Sequence, residues 1–508
     1  MSRPILVIDF GAQYAQLIAR RVRELGFYSE IVRHSAADQA ILERRPQALI
    51  LTGGPDSVVA PGAKALPEGV LKSGLPTLGI CYGMHLLAHA LGGTLSSGEV
   101  REYGRTDLST ERSVLFTGLP RYLTVWMSHG DTVSAPPPGF RAVGKTRSVP
   151  VAAMEDEQRR LFAVQFHPEV AHTDRGTDML KNFLCSGAGL TPDWTTEDAI
   201  SLAVDRIRRQ VKEGRALVAL SGGVDSAVAA ALVHRAIGDH LLALFVDHGL
   251  LRQGEAELVE AGFTQDYPLP FRRINAQAAF LAGLKGVKDP EEKRKRIGRM
   301  FIDTFRAEAE RLNGYTFLVQ GTLYPDVIES GGGQAAVIKS HHNVGGLPEE
   351  IGFELVEPLR DLFKDEVRAI GRELGLPPRL VERQPFPGPG LAVRVVGAVS
   401  AKRLAIARAA DAIVTEELEK AGSAAKLWQY FAVLTGTRSV GVMGDGRTYH
   451  EVVAIRSVTS ADGMTADWGR LPLDLLEKMA NRIVSEVREV GRVVYDITSK
   501  PPGTIEWE

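Results

Sequence analysis

A cysteine placed to act as a nucleophile is the first reactive feature of this sequence. Cys81 lies between a predicted strand, Thr77–Ile80, and a predicted helix, Met84–Leu91, in the segment GICYG. A reactive side chain between glycines at a strand-to-helix turn is typical of a nucleophile elbow, because bulkier flanking residues would not fit the tight turn. The N-terminus of the helix also favours the thiolate. A lone cysteine is more often a small buried apolar residue, so the assignment depends on partners.

Downstream residues supply those partners. Phe162–Phe166 is a predicted strand, and His167 and Glu169 follow it with a proline between them. The proline keeps His167 out of the helical region, so the imidazole projects from the strand end. His167 as base and Glu169 as the group that orients it complete a cysteine–histidine–carboxylate triad. Gly53 and Gly54, at the end of another predicted strand, have the backbone N–H groups expected of an oxyanion hole.

A second reactive feature is a glycine-bearing loop between a predicted strand, Ala216–Leu220, and an alanine-rich predicted helix. Its residues are Ser221, Gly222, Gly223, Val224, Asp225 and Ser226. Free N–H groups and the positive end of the helix dipole favour anion binding, and glycine lets a phosphate approach the backbone. The serine hydroxyls add donors, and Asp225 is a candidate ligand for Mg²⁺. The loop has no lysine, unlike GxxxxGK[ST] phosphate loops, and a ligand-free turn is the alternative.

The elements around these residues predict an α/β protein of three domains. Strands and helices alternate over 1–190 and again over 191–383. This pattern predicts two open, mostly parallel sheets with ligands at the carboxyl ends of their strands. A break at 191–195 and a proline- and glycine-rich connector at 384–390 set the boundaries. Residues 384–508 combine one long helix with β-rich segments, so we expect a small α+β domain there.

Composition excludes several classes of function. The 508 residues are 44% hydrophobic and 24% charged, and a net charge of −2 gives no basis for sequence-independent binding of nucleic acid. No run of 18 apolar residues is present and segment 1–27 does not resemble a signal peptide, so we expect no membrane association. The two cysteines, Cys81 and Cys185, form no disulfide or zinc framework, which is typical of a cytoplasmic protein.

One apparent phosphate-binding motif is expected to be a coincidence. Residues 139–146 read GFRAVGKT and match GxxxxGK[ST] letter for letter. Three prolines precede the match in place of a buried strand, and Pro150 closely follows it, so no long helix can begin there. We therefore interpret the segment as a chance match between two surface strands.

Residues 1–190 resemble the class I glutamine amidotransferases. The resemblance is carried by GICYG, by HPE at 167–169, by SHGD at 128–131 and by REYG at 101–104. It implies that Cys81 attacks the side-chain amide of glutamine, that ammonia leaves, and that a thioester is then hydrolysed to glutamate. It also implies that Asp131 binds the α-amino group of glutamine. The chain departs from the family at His85, where relatives usually have a glutamine that contacts the substrate.

The SGGVDS loop resembles that of the ATP pyrophosphatases. The resemblance implies that residues 221–226 bind the β- and γ-phosphates of ATP with Mg²⁺, while an acceptor attacks the α-phosphorus. It places the adenine near Val246 and a phosphate contact at Lys364, for which a solvated helix lysine is the alternative. Gly321, at the end of a further predicted strand, suits the nucleotide site. Asp247 is equally well a strand-end carboxylate or a ligand.

The glycine-rich segment 330–346 is predicted to close over the triphosphate as a lid, because glycine-rich loops are mobile. Lys339 lies in its basic central part and is the candidate phosphate contact.

Several strings resemble the glutamine-hydrolysing GMP synthases nearly end to end: HHNVGGLPE, RQPFPGPGLAVR, VGVMGDGRTY, SVTSADGMTADW and YDITSKPPGTIEWE. The resemblance implies that ATP adenylylates xanthosine monophosphate (XMP) and that ammonia from glutamine aminates it, giving GMP, AMP, pyrophosphate and glutamate. It implies a homodimer formed through 384–508. The positions implied to contact XMP are Arg294, Pro387, Gly388, Lys500, Ile505 and Glu506. Arg294 lies in a charged run, 291–299, for which a solvated helix face is equally expected.

Other functions fit the residues less well. Asparagine-synthetase-type enzymes use an N-terminal cysteine as nucleophile, whereas position 2 is Ser2. Sulfur-inserting tRNA enzymes need catalytic cysteines near the phosphate loop, and no cysteine follows Cys185. A non-enzymatic scaffold would be expected to have a broken triad or loop, and both are intact.

Overall fold

The computed structural model describes residues 3–12, 14–55, 57–324, 326, 352–443, 446–460 and 465–508. Lys339, the candidate lid residue, lies outside the described residues. The chain divides into two compact units, Met1–Asp198 and Ala199–Glu508. No helix among the described residues combines the length and the apolar character needed to cross a membrane.

The first unit is built on one large sheet with helices between its strands. Its strands are β1 Ile5–Asp9, β2 Ser29–Arg33, β3 Ala48–Leu51, β4 Thr77–Ile80, β5 Thr94–Thr110, β6 Tyr122–Ala135, β7 Arg141–Lys145, β8 Ala153–Asp156 and β9 Leu161–Val164. Its helices are α1 Ala15–Glu24, α2 Ala37–Arg44, α3 Glu68–Lys72, α4 Tyr82–Ala90 and α5 Gly176–Asn182.

The nine strands lie in the order β2-β1-β3-β4-β9-β8-β7-β5-β6. The first five are mutually parallel, and antiparallel pairs join β9 to the remaining four. β1, β3 and β4 are apolar and almost fully buried, as expected of strands covered on both faces. Because β4 and β9 are direct neighbours, the turn at Cys81 and the segment beginning at His167 leave the sheet at the same edge.

The second unit begins with α6 Thr196–Val211, which starts within a few residues of the division between the units. The Thr195 hydroxyl accepts a hydrogen bond from the Asp198 N–H at 3.2 Å, and the Asp198 carboxylate accepts one from the Thr195 N–H at 2.9 Å. This reciprocal pair is a capping box, which fixes where the helix starts.

The elements that follow form a parallel sheet with helices. Its strands are β10 Ala216–Leu220, β11 Leu241–Asp247, β12 Phe271–Asn275, β13 Phe317–Val319 and β14 Glu354–Val356. The helices are α7 Val224–Ile237, α8 Glu255–Ala261, α9 Gln277–Gly283, α10 Pro290–Arg311, α11 Lys364–Glu373 and α12 Pro378–Val381. The strand order is β12-β11-β10-β13-β14, and every pair is parallel. The phosphate loop therefore leaves a central strand, β10.

The remaining residues form a smaller α+β part. They comprise α13 Ala401–Lys420, β15 Gln429–Met443, β16 Gly446–Thr459, β17 Asp467–Trp468, α14 Leu473–Glu486 and β18 Val490–Asp496. The strands lie in the order β15-β16-β17, and β18 pairs with β16 in parallel. One hydrophobic cluster includes Val246 and Phe280 of the parallel-sheet part together with Leu404 and Met479 of this part. Residues 199–508 thus share a core, and the predicted domains 1–190, 191–383 and 384–508 stay a prediction.

The α/β class with parallel-rich sheets and a C-terminal α+β part is confirmed. Residues 139–146 do not form a phosphate loop, as expected, but they are not a link between two surface strands either. Most of that segment is β7, which pairs antiparallel with β8 in the first unit. A phosphate loop requires a strand, a turn and then a helix, and this segment lacks that order.

Candidate active sites

The turn at Cys81 is held in a conformation that side chains rarely adopt. Cys81 has φ 52° and ψ −105° at the junction of β4 and α4. A Cβ on Gly79 would stand 2.6 Å from the carbonyl oxygen of Gly83, and one on Gly83 would stand 2.5 Å from that of Leu51. Both glycines are therefore required by close backbone contact, and the geometry is that of a nucleophile elbow.

The expected triad is assembled and buried. His167 Nδ1 lies 2.7 Å from Oε1 of Glu169, and Cys81, His167 and Glu169 are 6%, 5% and 1% exposed. Burial alone would lower the pKa of His167, but the Glu169 carboxylate and a hydrogen bond with Cys81 outweigh it and raise that pKa to about 10. The imidazole is thus positioned between the cysteine and the carboxylate, as a nucleophile–base–orienter arrangement requires.

The predicted oxyanion hole lies against the triad. A Cβ on Gly53 would be in ordinary contact with the triad, 3.4 Å from Cε1 of His167 and 3.8 Å from Cβ of Cys81. A Cβ on Gly54 would be more crowded, at 3.2 Å from the Tyr82 ring. In nucleophile elbows the N–H of the residue after the nucleophile is a further oxyanion donor, and here that residue is Tyr82, which our sequence analysis did not single out.

A buried polar group beside Cys81 was also missed. The Gln165 side chain is fully buried, and its Nε2 lies 3.9 Å from Sγ of Cys81. Its Oε1 lies 2.7 Å from Nε2 of His85, the residue at which the chain departs from the family pattern. The signal available in the sequence was a glutamine at the end of the otherwise apolar run LFAVQF.

Asp131, the candidate for the α-amino group of glutamine, is buried on β6. Its backbone oxygen lies 2.9 Å from Nδ1 of His129, whose Nε2 lies 3.3 Å from a carboxylate oxygen of Glu102. Burial lowers the pKa of His129, although the Glu102 carboxylate opposes the shift. The Asp131 carboxylate also exerts a Coulombic effect on His85, so Asp131 lies near the residues that surround Cys81.

The phosphate loop of the second unit is ordered by its own hydroxyl groups. The Ser226 hydroxyl accepts a hydrogen bond from the Ser221 N–H at 3.3 Å, and the Ser221 hydroxyl accepts one from the Gly223 N–H at 3.2 Å. Gly222 has φ 77°, a left-handed conformation that glycine adopts without strain. The loop thus closes tightly at the N-terminus of α7, where the helix dipole favours an anion.

A carboxylate and a lysine face each other beside the loop. The Lys364 ammonium lies 3.3 Å from Oδ2 of Asp225, and both side chains are partly exposed. Oδ1 of Asp225 is buried and has no hydrogen-bond partner among the described residues. An unpaired carboxylate oxygen is a suitable ligand for a hard cation such as Mg²⁺. The described residues contain no cluster of three or more His, Cys, Asp or Glu side chains suited to a metal.

One cavity of about 280 Å³ brings the predicted nucleotide residues together. From the nucleotide prediction it is lined by Ser221, Gly223, Val224, Asp225, Val246 and Lys364. From the XMP prediction it is lined by Pro387 and Gly388. The phosphate loop and the connector predicted to contact XMP therefore form walls of the same cavity.

Two arginines that the sequence analysis did not identify complete this cavity. Arg383 and Arg368 both line it. Arg383 donates hydrogen bonds to the carbonyl oxygen of Gly222 and to the carboxylate of Glu255, so it links the phosphate loop to α8. Arg368 in turn donates to the backbone oxygen of Arg383 at 3.3 Å. Arg383 lies 161 positions from Gly222, and no local pattern connects them.

Two further predicted residues, Gly321 and Asp247, have contacts that serve the packing of the protein itself. A Cβ on Gly321 would stand 3.2 Å from the backbone of Asp225, so this glycine permits close packing against the first turn of α7 and is not among the residues lining the cavity. The Asp247 carboxylate accepts hydrogen bonds from Arg273 at 2.6 Å and from Gln277 at 2.8 Å. Burial opposes ionisation, but these donors lower the pKa of Asp247. This surrounding favours the strand-end reading of Asp247.

The other XMP candidates lie around segment 500–508, outside the lining of that cavity. The Glu506 carboxylate accepts hydrogen bonds from the buried Arg394 at 2.9 Å and from Gln429 at 2.9 Å. Arg294 donates to the backbone oxygen of Glu508, and Ile505 packs on the cluster containing Phe431. Lys500 forms a backbone bridge with Ala466. The structure thus brings Arg294, Ile505 and Glu506 to one segment, held by protein partners.

Comparison with known proteins gives matches to two family models and to relatives that span nearly the whole chain. Residues 6–186 match the family model for glutamine amidotransferase class-I, and residues 416–507 match that for the GMP synthase C terminal domain. A glutamine-hydrolysing GMP synthase of Parafrankia is 59% identical over 99% of this chain and 96% of its own length. That of Carboxydothermus hydrogenoformans is 56% identical over the full length of both. The crystal structure of a Thermotoga maritima glutamine amidotransferase aligns with 38% of this chain and 87% of its own at 20% identity, with a TM-score of 0.29.

Proposed function

The chain belongs to the glutamine-hydrolysing GMP synthases and is therefore an enzyme of glutamine-dependent GMP synthesis, and we propose that it works through two half-reactions on separate sites. In the first, Cys81 releases ammonia from glutamine. In the second, ATP activates XMP by adenylylation, and ammonia replaces the activated oxygen. The two catalytic halves use the two sites described above.

In the amidotransferase half, the Cys81 thiolate adds to the amide carbon of glutamine. The oxyanion that forms is stabilised by backbone N–H groups of Gly53, Gly54 and Tyr82. The His167 imidazolium, held by Glu169, gives its proton to the departing ammonia, and a thioester remains on Cys81. His167 then takes a proton from water, which hydrolyses the thioester to glutamate. The thiolate is released as the leaving group.

In the synthetase half, the oxygen on C2 of XMP attacks the α-phosphorus of ATP, and pyrophosphate leaves. Residues 221–226 and Lys364 bind the departing phosphates through N–H groups, hydroxyls and one positive charge. Mg²⁺, held by Asp225 and the phosphates, would supply further neutralisation of their charge. Ammonia then adds to C2, and AMP leaves with the original oxygen and its bonding electrons. A proton is lost, and GMP results.

The observation that supports this division of roles is the shared cavity. Residues of the phosphate loop, among them Asp225, line it together with Lys364 and with Pro387 and Gly388 of the connector. An acceptor bound at the connector would therefore be near the phosphates of a nucleotide bound at the loop. We include Arg294, Lys500, Ile505 and Glu506 as the remaining candidates for XMP.

An oxygen-labelling experiment tests the adenylylation step. XMP carrying ¹⁸O at C2 is incubated with ATP, Mg²⁺ and glutamine, and the products are analysed by mass spectrometry. Adenylylation transfers the label to the phosphate of AMP and leaves pyrophosphate unlabelled. Label in inorganic phosphate, with ADP as the other product, would show that XMP is phosphorylated and not adenylylated. A failure to form AMP with XMP would mean that the acceptor nucleotide is another one.

We also propose that the enzyme is a cytoplasmic homodimer formed through residues 384–508. Val440, Val442 and Tyr449 lie on the β15–β16 hairpin with 49%, 76% and 61% of their surface exposed, which is unusual for apolar side chains in a row. A second copy would cover them. Sedimentation should give a dimer for the parent and a lower association constant for Val442→Asp. A monomer across a wide range of concentration would refute the dimer.

A further inference from the structure

Two buried polar side chains form a chain of contacts that ends at the nucleophile. His85 is on α4, one turn after Cys81, and is 3% exposed, while Gln165 follows β9 and is fully buried. His85 Nε2 lies 2.7 Å from Oε1 of Gln165, and Nε2 of Gln165 lies 3.9 Å from Sγ of Cys81. A buried polar group without a hydrogen-bond partner raises the free energy of the folded state. Loss of either contact would therefore leave a buried polar group unpaired.

The orientation of the Gln165 amide matters because its two ends differ. The oxygen only accepts hydrogen bonds and the nitrogen only donates them. A thiolate is stabilised by a donor and destabilised by a carbonyl oxygen. If the oxygen of Gln165 is engaged by an N–H of His85, the N–H₂ end is directed towards the sulfur, as observed.

His85 can fulfil that role as a neutral imidazole. Burial lowers its pKa, and the hydrogen bond with Gln165 and the Asp131 carboxylate oppose this only in part. The charged or titratable groups that act on it are Asp131 and His129. A neutral imidazole has one N–H, for which the Gln165 oxygen and the backbone of Asp131 compete. The 2.7 Å contact is with an oxygen that only accepts, so it is a hydrogen bond when the N–H is on Nε2.

We propose that His85 is a positioning residue that acts through Gln165, fixing its amide so that the N–H₂ group faces the sulfur of Cys81. The proposal rests on the role of Cys81 as the nucleophile. It gives a function to the residue at which the chain departs from the family pattern. His85 stabilises the Cys81 thiolate indirectly, through its hydrogen bond with Gln165. The sulfur is negative before it attacks glutamine and again when the thioester is hydrolysed, and the same N–H₂ group serves both stages.

The chain offers a clean assay because it has only two cysteines. In a Cys185→Ser background, iodoacetamide reports on Cys81 alone, and its rate against pH measures the thiolate fraction. His85→Leu and Gln165→Leu should each slow alkylation at neutral pH by about 10-fold, the usual effect of losing a hydrogen bond to a charged group. Each should also lower kcat with glutamine more than it changes KM. Differential scanning calorimetry of each variant against the parent shows whether the unit containing Cys81 is folded, because ammonium-dependent GMP formation reports only on the other unit.

A double-mutant cycle decides whether the two residues act in series. If His85 works through Gln165, the double variant is no slower than Gln165→Leu alone. His85→Gln keeps an N–H donor and should restore most of the alkylation rate. The proposal is overturned if the two effects multiply, if the pH profile of alkylation does not move, or if His85→Gln behaves like His85→Leu. The separate variant Cys81→Ala tests the nucleophile itself, so failure of that assignment is distinguishable.

Discussion

The two catalytic sites of this enzyme are built in opposite ways. In the first unit, Cys81, His167 and Glu169 are almost fully buried and held by short contacts within the protein. In the second unit, Ser221, Asp225 and Lys364 line a cavity and are at least partly exposed, and Asp225 pairs with Lys364. The groups of the first site are therefore already positioned for reaction by the protein. The second site offers charged and polar groups that a ligand can bind.

This difference follows from the two chemistries. Attack on the neutral amide of glutamine needs a nucleophile, a base and an oxyanion hole already in register, because the substrate brings little charge with which to organise them. Phosphoryl-type transfer depends on neutralising a triphosphate, and the ligand itself supplies charges that order the site. We therefore expect the first site to be sensitive to packing and the second to charge.

The largest effect is expected at the nucleophile. Cys81→Ala should lower glutamine-dependent GMP formation by about 10⁴-fold or more, because no other group can form the thioester. Ammonium-dependent formation should persist. Cys185→Ser is the matched control and should leave both rates unchanged. Retention of glutamine-dependent activity by Cys81→Ala would make the buried site structural and end the comparison.

The next largest effect is expected at the charged site, and it should affect both nitrogen sources. Asp225→Asn removes the negative charge but keeps the shape, so glutamine-dependent and ammonium-dependent rates should fall together by about 10²- to 10³-fold. Asp239→Asn, just beyond the other end of α7, is the control because its side chain is 92% exposed. A loss confined to the glutamine-dependent reaction would contradict the assignment of Asp225 to the nucleotide.

Glu169→Gln tests whether the buried site depends on one interior charge. Glutamine-dependent activity should fall by about 10²-fold, because the imidazolium loses its counter-charge while the hydrogen-bond geometry survives. Stability should also depend on pH. The pKa of His167 is raised from 6.5 to about 10, so its contribution is complete below about pH 6.5 and is lost as pH rises through 10. The Tm difference between parent and variant should therefore be wide at pH 6 and narrow at pH 9.5, and a constant difference would show that the charge pair is not responsible.

The smallest effects are expected on thermal stability, at two glycines. One glycine is required by packing within the protein, and the other leaves room for a ligand. Gly79→Ala should lower Tm by about 5 °C or more, because the new Cβ would overlap the backbone of Gly83. Gly223→Ala should lower Tm by no more than about 2 °C. Its φ of −78° suits alanine and the nearest atom is the movable Ser221 hydroxyl, so the remaining cost is that alanine is a poorer N-cap than glycine. Differential scanning calorimetry measures both. Equal destabilisation would remove the distinction between the two sites.

The sequence was most informative where chemistry follows directly from a strand end. Cys81, His167 and residues 221–226 each leave a short apolar strand, so their positions at a sheet edge follow from local pattern. That β4 and β9 are neighbours, however, depends on strand order, which no local pattern specifies. The expectation that Cys81 and His167 lie together therefore depended on the resemblance of their motifs to a known family.

Other residues were beyond local reasoning. Arg383, which directly precedes the connector, contacts Gly222 far away in the sequence. The polar character of Gln165 is visible in the sequence, but its contact with Cys81 is not. In the β15–β16 hairpin, residues 452–458 have the largely apolar pattern of a buried strand, whereas glycine and polar residues interrupt that pattern over 438–451. Glu506 was assigned to XMP, whereas the structure gives its carboxylate to Arg394 and Gln429.

The conformation of Cys81 has a consequence for how this enzyme can change over evolutionary time. A backbone at φ 52° and ψ −105° strains every residue with a Cβ and suits glycine, at a cost of about 1–3 kcal/mol for the former. Cys81→Gly should therefore give a protein that is more stable than Cys81→Ala, although both are inactive with glutamine. Replacement of Cys81 by glycine is thus favoured by the backbone and opposed by the loss of activity. A lineage supplied with abundant ammonia would lose its nucleophile without a folding penalty.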